Sequence, residues 1–124
     1  LPSSRKLYYA KPSLTTNQWG KPSIQYYGVD QQTKQWTPLE TYGGKLVENI
    51  VQAISRDCLA IAINALEAAG FPVVFHVHDE VVIDCPKEKA DLAEVIRLMT
   101  QPISWAKGLP LNADGWVGDF FRKD

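Results

Sequence analysis

The stretch from Gly43 to Ala69 constrains the fold of this chain more than any other part of the sequence. Its apolar residues recur at helical spacing and predict one long amphipathic helix. Gly70 and Pro72 predict the end of that helix. With a rise of about 1.5 Å per residue, the helix would be roughly 40 Å long. The buried stripe is predicted to consist of Leu46, Ile50, Ile54, Cys58, Ile61 and Ala65.

The same helix is predicted to carry a stripe of polar side chains. Their spacing alone favours a solvated face over a binding surface, and both interpretations stay open at this point. The polar stripe consists of Glu48, Gln52, Ser55 and Arg56.

Short strands and turns are predicted before the helix. Lys6–Tyr9 is rich in aromatic residues and predicts a strand. Residues 11–22 contain Pro, Gly and small polar residues and predict a loop. Ile24–Val29 and Lys34–Thr37 predict two further strands around a polar turn at residues 30–33.

Two apolar, β-branched runs follow the helix, Phe71–Val77 and Val81–Asp84, and they are hinged at residues 78–80. Their near-continuous hydrophobicity predicts a hairpin covered on both faces, or nearly so. Residues 86–99 predict a second helix that begins at Pro86, and residues 101–110 predict a loop. The core stripe of the second helix is predicted to be Leu92, Val95, Ile96 and Met99. A final strand is predicted from Trp116, Val117, Phe120 and Phe121.

This order of elements favours an α+β fold with an antiparallel sheet, in which a central β-hairpin packs against one long and one shorter helix. We expect a single domain over residues 1–124. Its parts are residues 1–40 with the N-terminal strands and loop, residues 41–70 with the long helix, residues 71–85 with the acidic hairpin, and residues 86–124 with the second helix and the terminal strand.

Composition and charge narrow the class of protein. The hydrophobic fraction of 45% and the charged fraction of 22% are those of an ordinary globular protein. No apolar run approaches the ~20 residues that span a bilayer, and the two cysteines show no disulfide framework, so we expect a cytoplasmic protein without a membrane partner. The net charge of −1 gives no overall basic footprint for nucleic acid. Because the chain begins at Leu1 and its one methionine is Met99, we expect a segment of a longer protein.

The sequence FHVHDEVVI, residues 75–83, places two acids and two histidines in the middle of the predicted hairpin. Asp79 and Glu80 at a rigid tip would repel each other, and a divalent cation such as Mg²⁺ or Mn²⁺ would relieve that repulsion. Asp is also common in ordinary turns, and the pattern alone favours a plain turn. A zinc hydrolase site from His76, His78 and Asp79 is a further possibility. However, the chain has only two histidines, and such sites use about three protein ligands in which His is prominent.

Several segments in collinear order give the chain a resemblance to family A DNA polymerases. Val77–Glu80 resembles their third polymerase motif, Val51–Asp57 resembles their Val-Gln-Gly-Thr-Ala-Ala-Asp element, and Leu1–Tyr8 resembles their Gly-Arg-Arg segment. Tyr42–Asn49 and Gly108–Gly115 are most similar to phage and prophage members. The resemblance covers essentially the whole chain. It implies the C-terminal part of the palm of a DNA-directed DNA polymerase that acts in replication or repair.

The resemblance also implies roles for individual residues. Asp79 would be a catalytic ligand of Mg²⁺ in a two-metal site, and Glu80 beside it would be a supporting catalytic and metal-binding carboxylate. The DNA- or primer-binding positions would be His78, Gln52, Arg5 and Arg56. The implied partners are primer–template DNA, deoxynucleoside triphosphates and the remainder of the polymerase chain.

The chain departs from the family pattern at several positions. Ser4 stands where the family usually has Gly, and Lys6 is the second basic residue. Glu48 stands where many members have Asn, and an acid there is unfavourable beside DNA phosphates. Ala53 and Arg56 also replace different family residues.

The family's first motif, which supplies the partner aspartate of the metal site, and its fingers helix do not occur in these residues. We therefore expect the isolated chain to be inactive, to bind Mg²⁺ weakly and to self-associate. A non-catalytic α+β binding module is the alternative from another class of protein, and a metal-dependent hydrolase is a more distant one.

Overall fold

Five strands and two α-helices make up the fold, and the computed structural model describes them within residues 1–123. The predicted α+β class is confirmed, but the strands form two antiparallel sheets rather than one. The elements are β1 (Ala10–Thr16), β2 (Pro22–Val29), β3 (Trp36–Thr41), α1 (Gly43–Ala68), β4 (Val73–Val77), β5 (Glu80–Ile83) and α2 (Leu92–Met99). None of the described helices is long and apolar enough to cross a membrane.

The described chain divides into two compact units, and the division falls within α1. The first unit contains Ser3–Ala53 together with Leu1, and the second begins at Ile54 and also contains Pro2. The first unit holds the three-stranded sheet, and the second holds the hairpin and α2. The last residue of the predicted segment 86–124, Asp124, lies outside the described residues.

The first strand lies later in the chain than the sequence suggested. The strand predicted at Lys6–Tyr9 is wrong, and the loop predicted over residues 11–22 is right only for residues 17–21, because β1 runs from Ala10 to Thr16 and β2 begins at Pro22. β1 pairs with β2 through Leu14 opposite Ile24, and the register shifts between Ala10 and Ser13. Pro12 lies in that irregularity, where its missing N–H breaks no regular ladder bond. Local composition therefore gave the wrong answer, since the strand depends on its partner.

The predicted strand at Ile24–Val29 and the turn after it are confirmed. β3 begins at Trp36 rather than Lys34 and pairs with β2 from Val29 opposite Trp36 to Ile24 opposite Thr41. The Asp30 carboxylate accepts the backbone N–H groups of Gln32 and Thr33 at 2.8 and 2.9 Å. These backbone hydrogen bonds, from Thr33 and then Gln32, lower the pKa of Asp30. Hydrogen bonds between neighbouring residues therefore stabilise this turn.

The predicted long helix is confirmed to within one residue of its C-terminal end, but its predicted buried stripe is wrong in part. Ile50 and Ile61 are 41% and 38% exposed. The buried residues of α1 are instead Asp57, Leu59, Ala62 and Leu66. Apolar residues cover several sides of the C-terminal half of α1, so helical spacing does not single out one face. Packing against the rest of the chain decides which side is buried.

The end of α1 positions the following hairpin. Gly70 adopts φ of +87°, a left-handed conformation that glycine adopts without strain. The N–H of Phe71 donates to the carbonyl of Leu66 at 2.9 Å and that of Gly70 to the carbonyl of Glu67 at 3.1 Å, which is the Schellman arrangement. The Glu67 carboxylate then accepts the Val73 N–H at 2.7 Å. The Glu67 side chain at the end of α1 thus binds the backbone of Val73, the first residue of β4.

The second helix is shorter than predicted, and the final strand is absent from the described residues. Lys87–Lys89 form a short 3₁₀ helix, and α2 begins only at Leu92. Asp91 caps α2 by accepting the Glu94 N–H at 3.1 Å, a signal that outweighs the proline at residue 86. Leu98, which was not in the predicted stripe, is the buried residue of α2. No strand forms between residues 101 and 123, so the predicted strand at Trp116–Phe121 is wrong.

Candidate functional site

The tip of the β4–β5 hairpin is a two-residue turn formed by His78 and Asp79. Val77 pairs directly with Glu80, so Glu80 belongs to β5 rather than to the hinge predicted for residues 78–80. His78 has φ of +53°, in the left-handed region where His is tolerated better than most residues. His78, Asp79 and Glu80 are all exposed. The predicted hairpin is confirmed.

The strand register places the polar side chains of the hairpin on different sides. Directly opposed residues of an antiparallel pair share a face, so Glu80 lies on the face of Val77, and His76 lies with Val81 on the other face. Asp79 projects from the turn between them. The hairpin was predicted to be covered on both faces, and this is wrong for the described chain, because Val74 and Phe75 are exposed. Phe75 packs edge to face against Phe121, with ring centroids 5.1 Å apart.

Asp79 and Glu80 offer carboxylate oxygens that no described residue engages by a hydrogen bond or an ion pair. Within residues 1–123 no group of three or more His, Cys, Asp or Glu side chains could hold a metal ion. Mg²⁺ commonly takes one or two protein carboxylates and completes its shell with phosphates and water. The two acids therefore fit one side of a magnesium site that needs ligands from elsewhere.

Arg56 lies beside His76, a contact that the sequence did not predict. An Arg56 guanidinium nitrogen is 3.4 Å from His76 Nε2, and both side chains are exposed. A guanidinium can only donate, so this contact is a hydrogen bond in the ring tautomer whose Nε2 carries no proton. His76 thus joins β4 to the polar stripe of α1. Only the packing of helix and hairpin in the second unit could reveal this.

The second unit also contains a buried carboxylate that the sequence interpretation did not single out. Asp57 follows Arg56 in α1 and is only 7% exposed. Burial raises the pKa of the adjacent Cys58 thiol, and the negative charge of Asp57 raises it further. Neither Cys58 nor Cys85 forms a disulfide. A buried carboxylate and a thiol with a raised pKa therefore lie side by side in this part of α1. A raised pKa disfavours the thiolate, which is the reactive form of cysteine.

The remaining predicted site residues belong to the first unit. Gln52 and Glu48 are exposed on α1, as expected for a polar stripe, and Lys45 donates to Glu48 at 3.2 Å. Arg5 is exposed, and its carbonyl accepts the N-terminal ammonium of Leu1 at 2.8 Å. Ser4 has φ of +74°, a conformation that glycine adopts freely. Ser4 thus adopts a left-handed backbone conformation at the position where the resembled family usually has glycine.

Replacing His78 by valine is expected to lower the free energy of unfolding by about 1–2 kcal/mol, because a β-branched side chain is strained at positive φ. Replacing His78 by asparagine should leave stability almost unchanged, since asparagine tolerates this conformation. Urea denaturation of the two variants measures the difference. Equal stability of the valine variant and the unsubstituted chain would contradict a left-handed turn at this residue.

Comparison with known proteins found one strong similarity along the whole chain. The chain is 55% identical over 125 aligned residues to a DNA polymerase of Bacillus phage SP02. The alignment covers 100% of the chain but only 19% of that polymerase. No protein-family profile and no solved structure matches the chain. The chain thus spans about a fifth of the length of the curated relative that it matches.

Proposed function

We propose that this chain is part of a DNA-directed DNA polymerase. The observation that carries this proposal is the identity of 55%, which extends over the full chain and therefore includes the hairpin and α1. We further propose that the chain is the C-terminal palm segment of a family A polymerase of the phage type. The motif resemblance at residues 51–57 and 77–80 supports this finer assignment.

Asp79 and Glu80 are the proposed catalytic carboxylates. Their exposure at the turn and their lack of partners in the described chain leave their oxygens available to a metal ion, and the resemblance at residues 77–80 supports that role. Bound Mg²⁺ would stabilise the attacking and leaving oxygens of nucleotidyl transfer. The two-residue turn restricts the backbone of Asp79, so the carboxylate can be held in one position.

DNA contacts are proposed for four exposed residues. The Gln52 amide can donate to the acceptors that all base pairs show in the minor groove, which would sense pairing without reading sequence. Arg5 and Arg56 would neutralise phosphates, and His78 would lie at the primer terminus beside Asp79. Arg56 already orients against His76, which reduces the conformational freedom that phosphate binding would have to remove.

The complete protein that contains this chain is expected to extend a DNA primer along a template in the presence of Mg²⁺ and deoxynucleoside triphosphates. The isolated chain should extend none, because Asp79 and Glu80 provide only part of a metal site. Gel analysis of primer extension by both proteins measures this. Calorimetric titration of the isolated chain should show only weak Mg²⁺ binding, and tight binding would contradict the partial site.

Self-association of the isolated chain stays a prediction. Large exposed apolar side chains support it, since such surfaces commonly mark interaction sites. In the complete protein we propose that the remainder of the polymerase chain covers part of this surface. The most exposed of these side chains are Tyr8, Leu14, Trp19, Phe120, Tyr42, Val117 and Trp36.

A further inference from the structure

The sheet of the first unit has one covered and one open face. Side chains of β3 alternate strictly: Thr37, Leu39 and Thr41 are covered, whereas Trp36, Pro38 and Glu40 are exposed. On the covered face Tyr9 packs edge to face against Tyr26, with ring centroids 5.0 Å apart. The open face is therefore the side of the sheet that remains accessible within this unit.

One end of the open face carries two aromatic rings. Tyr27 pairs with Pro38, and Val29 pairs with Trp36, so these side chains share the open face of adjacent strands. Trp36 is 62% exposed although it is a large apolar side chain. β3 thus presents this indole ring to solvent, no ring of residues 1–123 packs against it, and burial does not explain its position.

A lysine is held over the same end of the sheet. Lys11 adopts φ of +47° in the irregular pairing between Ala10 and Ser13, and its ammonium lies 5.6 Å from the centre of the Tyr27 ring. Irregularities of this kind redirect side chains, and strained backbone is frequent at functional sites. We call Lys11, Tyr27 and Trp36 the aromatic sheet face.

The charge of the first unit is opposite to that of the whole chain. Residues 1–53 contain six Lys and Arg but only three Asp and Glu, a net charge of +3, whereas the complete chain has −1. Two acids, Asp30 and Glu40, lie on or near the sheet. The Asp30 carboxylate is bound to backbone N–H groups of its turn. Glu40 follows Trp36 by four residues, about 13 Å along the strand. The Asp30 carboxylate also lies at the end with Trp36, directly after Val29, so the attraction for an anion comes from the net positive charge of the unit and from Lys11.

We propose that the aromatic sheet face binds single-stranded DNA. Unpaired bases expose their faces and can stack on Trp36 and Tyr27, while Lys11 neutralises a phosphate. Duplex DNA offers no such base faces within the stack, so the surface selects single strands. The choice of DNA as the nucleic acid rests on the proposed function, in which a template strand without its complement must be held ahead of synthesis.

Binding of a fluorescein-labelled oligothymidylate, followed by anisotropy at low salt, tests this proposal. Trp36→Leu keeps apolar bulk but removes the aromatic ring, and it is expected to weaken binding by about tenfold. Trp36→Phe keeps a ring and should retain most of the affinity. Trp19→Leu is the matched control, because Trp19 is 74% exposed in the same unit but lies in the turn between β1 and β2.

The same substitutions in the complete protein provide a second measurement. Trp36→Leu should remove the gain in affinity that a single-stranded template overhang gives over a blunt duplex, and Trp19→Leu should preserve it. Equal binding by the two leucine variants would overturn the proposal, as would equal affinity of the chain for oligothymidylate and blunt duplex. Primer extension does not enter either measurement, so failure of the polymerase assignment is recognised separately.

Discussion

Replacing Asp79 by asparagine in the complete protein is expected to lower primer extension by about a thousandfold. Asparagine keeps the size of the side chain and is favoured in turns, so the hairpin should form as before. The substitution removes the negative charge that would bind Mg²⁺. Removing a residue that only hydrogen-bonds to a metal ligand typically lowers activity by about 10–100-fold. Removing the ligand itself should lower it more.

The hairpin provides its own control for the Asp79 substitution. Asp84 is an exposed acid just after the end of β5, on the same hairpin but away from the tip, and Asp84→Asn should leave extension nearly unchanged. Glu80→Gln should have an intermediate effect, as expected of a supporting carboxylate. Rates are measured in single-turnover primer extension over a range of Mg²⁺ concentrations. Near-normal extension by Asp79→Asn would overturn the catalytic assignment of this residue.

The parts of the fold that the sequence predicted correctly have strong local signals. The end of α1 follows from Gly70 and Pro72, and the hairpin follows from two β-branched runs of suitable length. β1 was missed because its residues favour a loop until β2 supplies the hydrogen-bond partners. The buried side of α1 was mistaken because apolar residues surround its C-terminal half, and only tertiary contacts select among them.

The candidate site was predictable to a similar extent. The turn at Asp79 is local, so its position could be predicted from neighbouring residues. The contact of Arg56 with His76 joins residues 20 positions apart, and no spacing within α1 or β4 signals it. Likewise, the open position of Trp36 depends on which face of the sheet the N-terminal segment covers. Sequence patterns thus locate chemical groups, whereas packing decides which groups meet.

The core of the second unit depends strongly on one side chain. Leu66 has 0% exposure, and the other buried apolar residues of the described chain are Leu59, Ala62, Leu98 and Ile103. The carbonyl of Leu66 also accepts the N–H of Phe71, so the residue belongs to the motif that ends α1. A cavity at this position would therefore form next to the connection between helix and hairpin.

Leu66→Ala is expected to lower the free energy of unfolding of the chain by about 3 kcal/mol, from lost burial and the cavity left behind. Ile61→Ala is the matched control on the same helix. Because Ile61 is 38% exposed, its substitution should cost less than about 1 kcal/mol. Urea denaturation followed by far-ultraviolet circular dichroism measures both values. Equal losses would contradict the buried side assigned to α1. A larger loss for Ile61→Ala in the complete protein than in the isolated chain would instead reveal that the remainder of the complete protein covers this side of the helix.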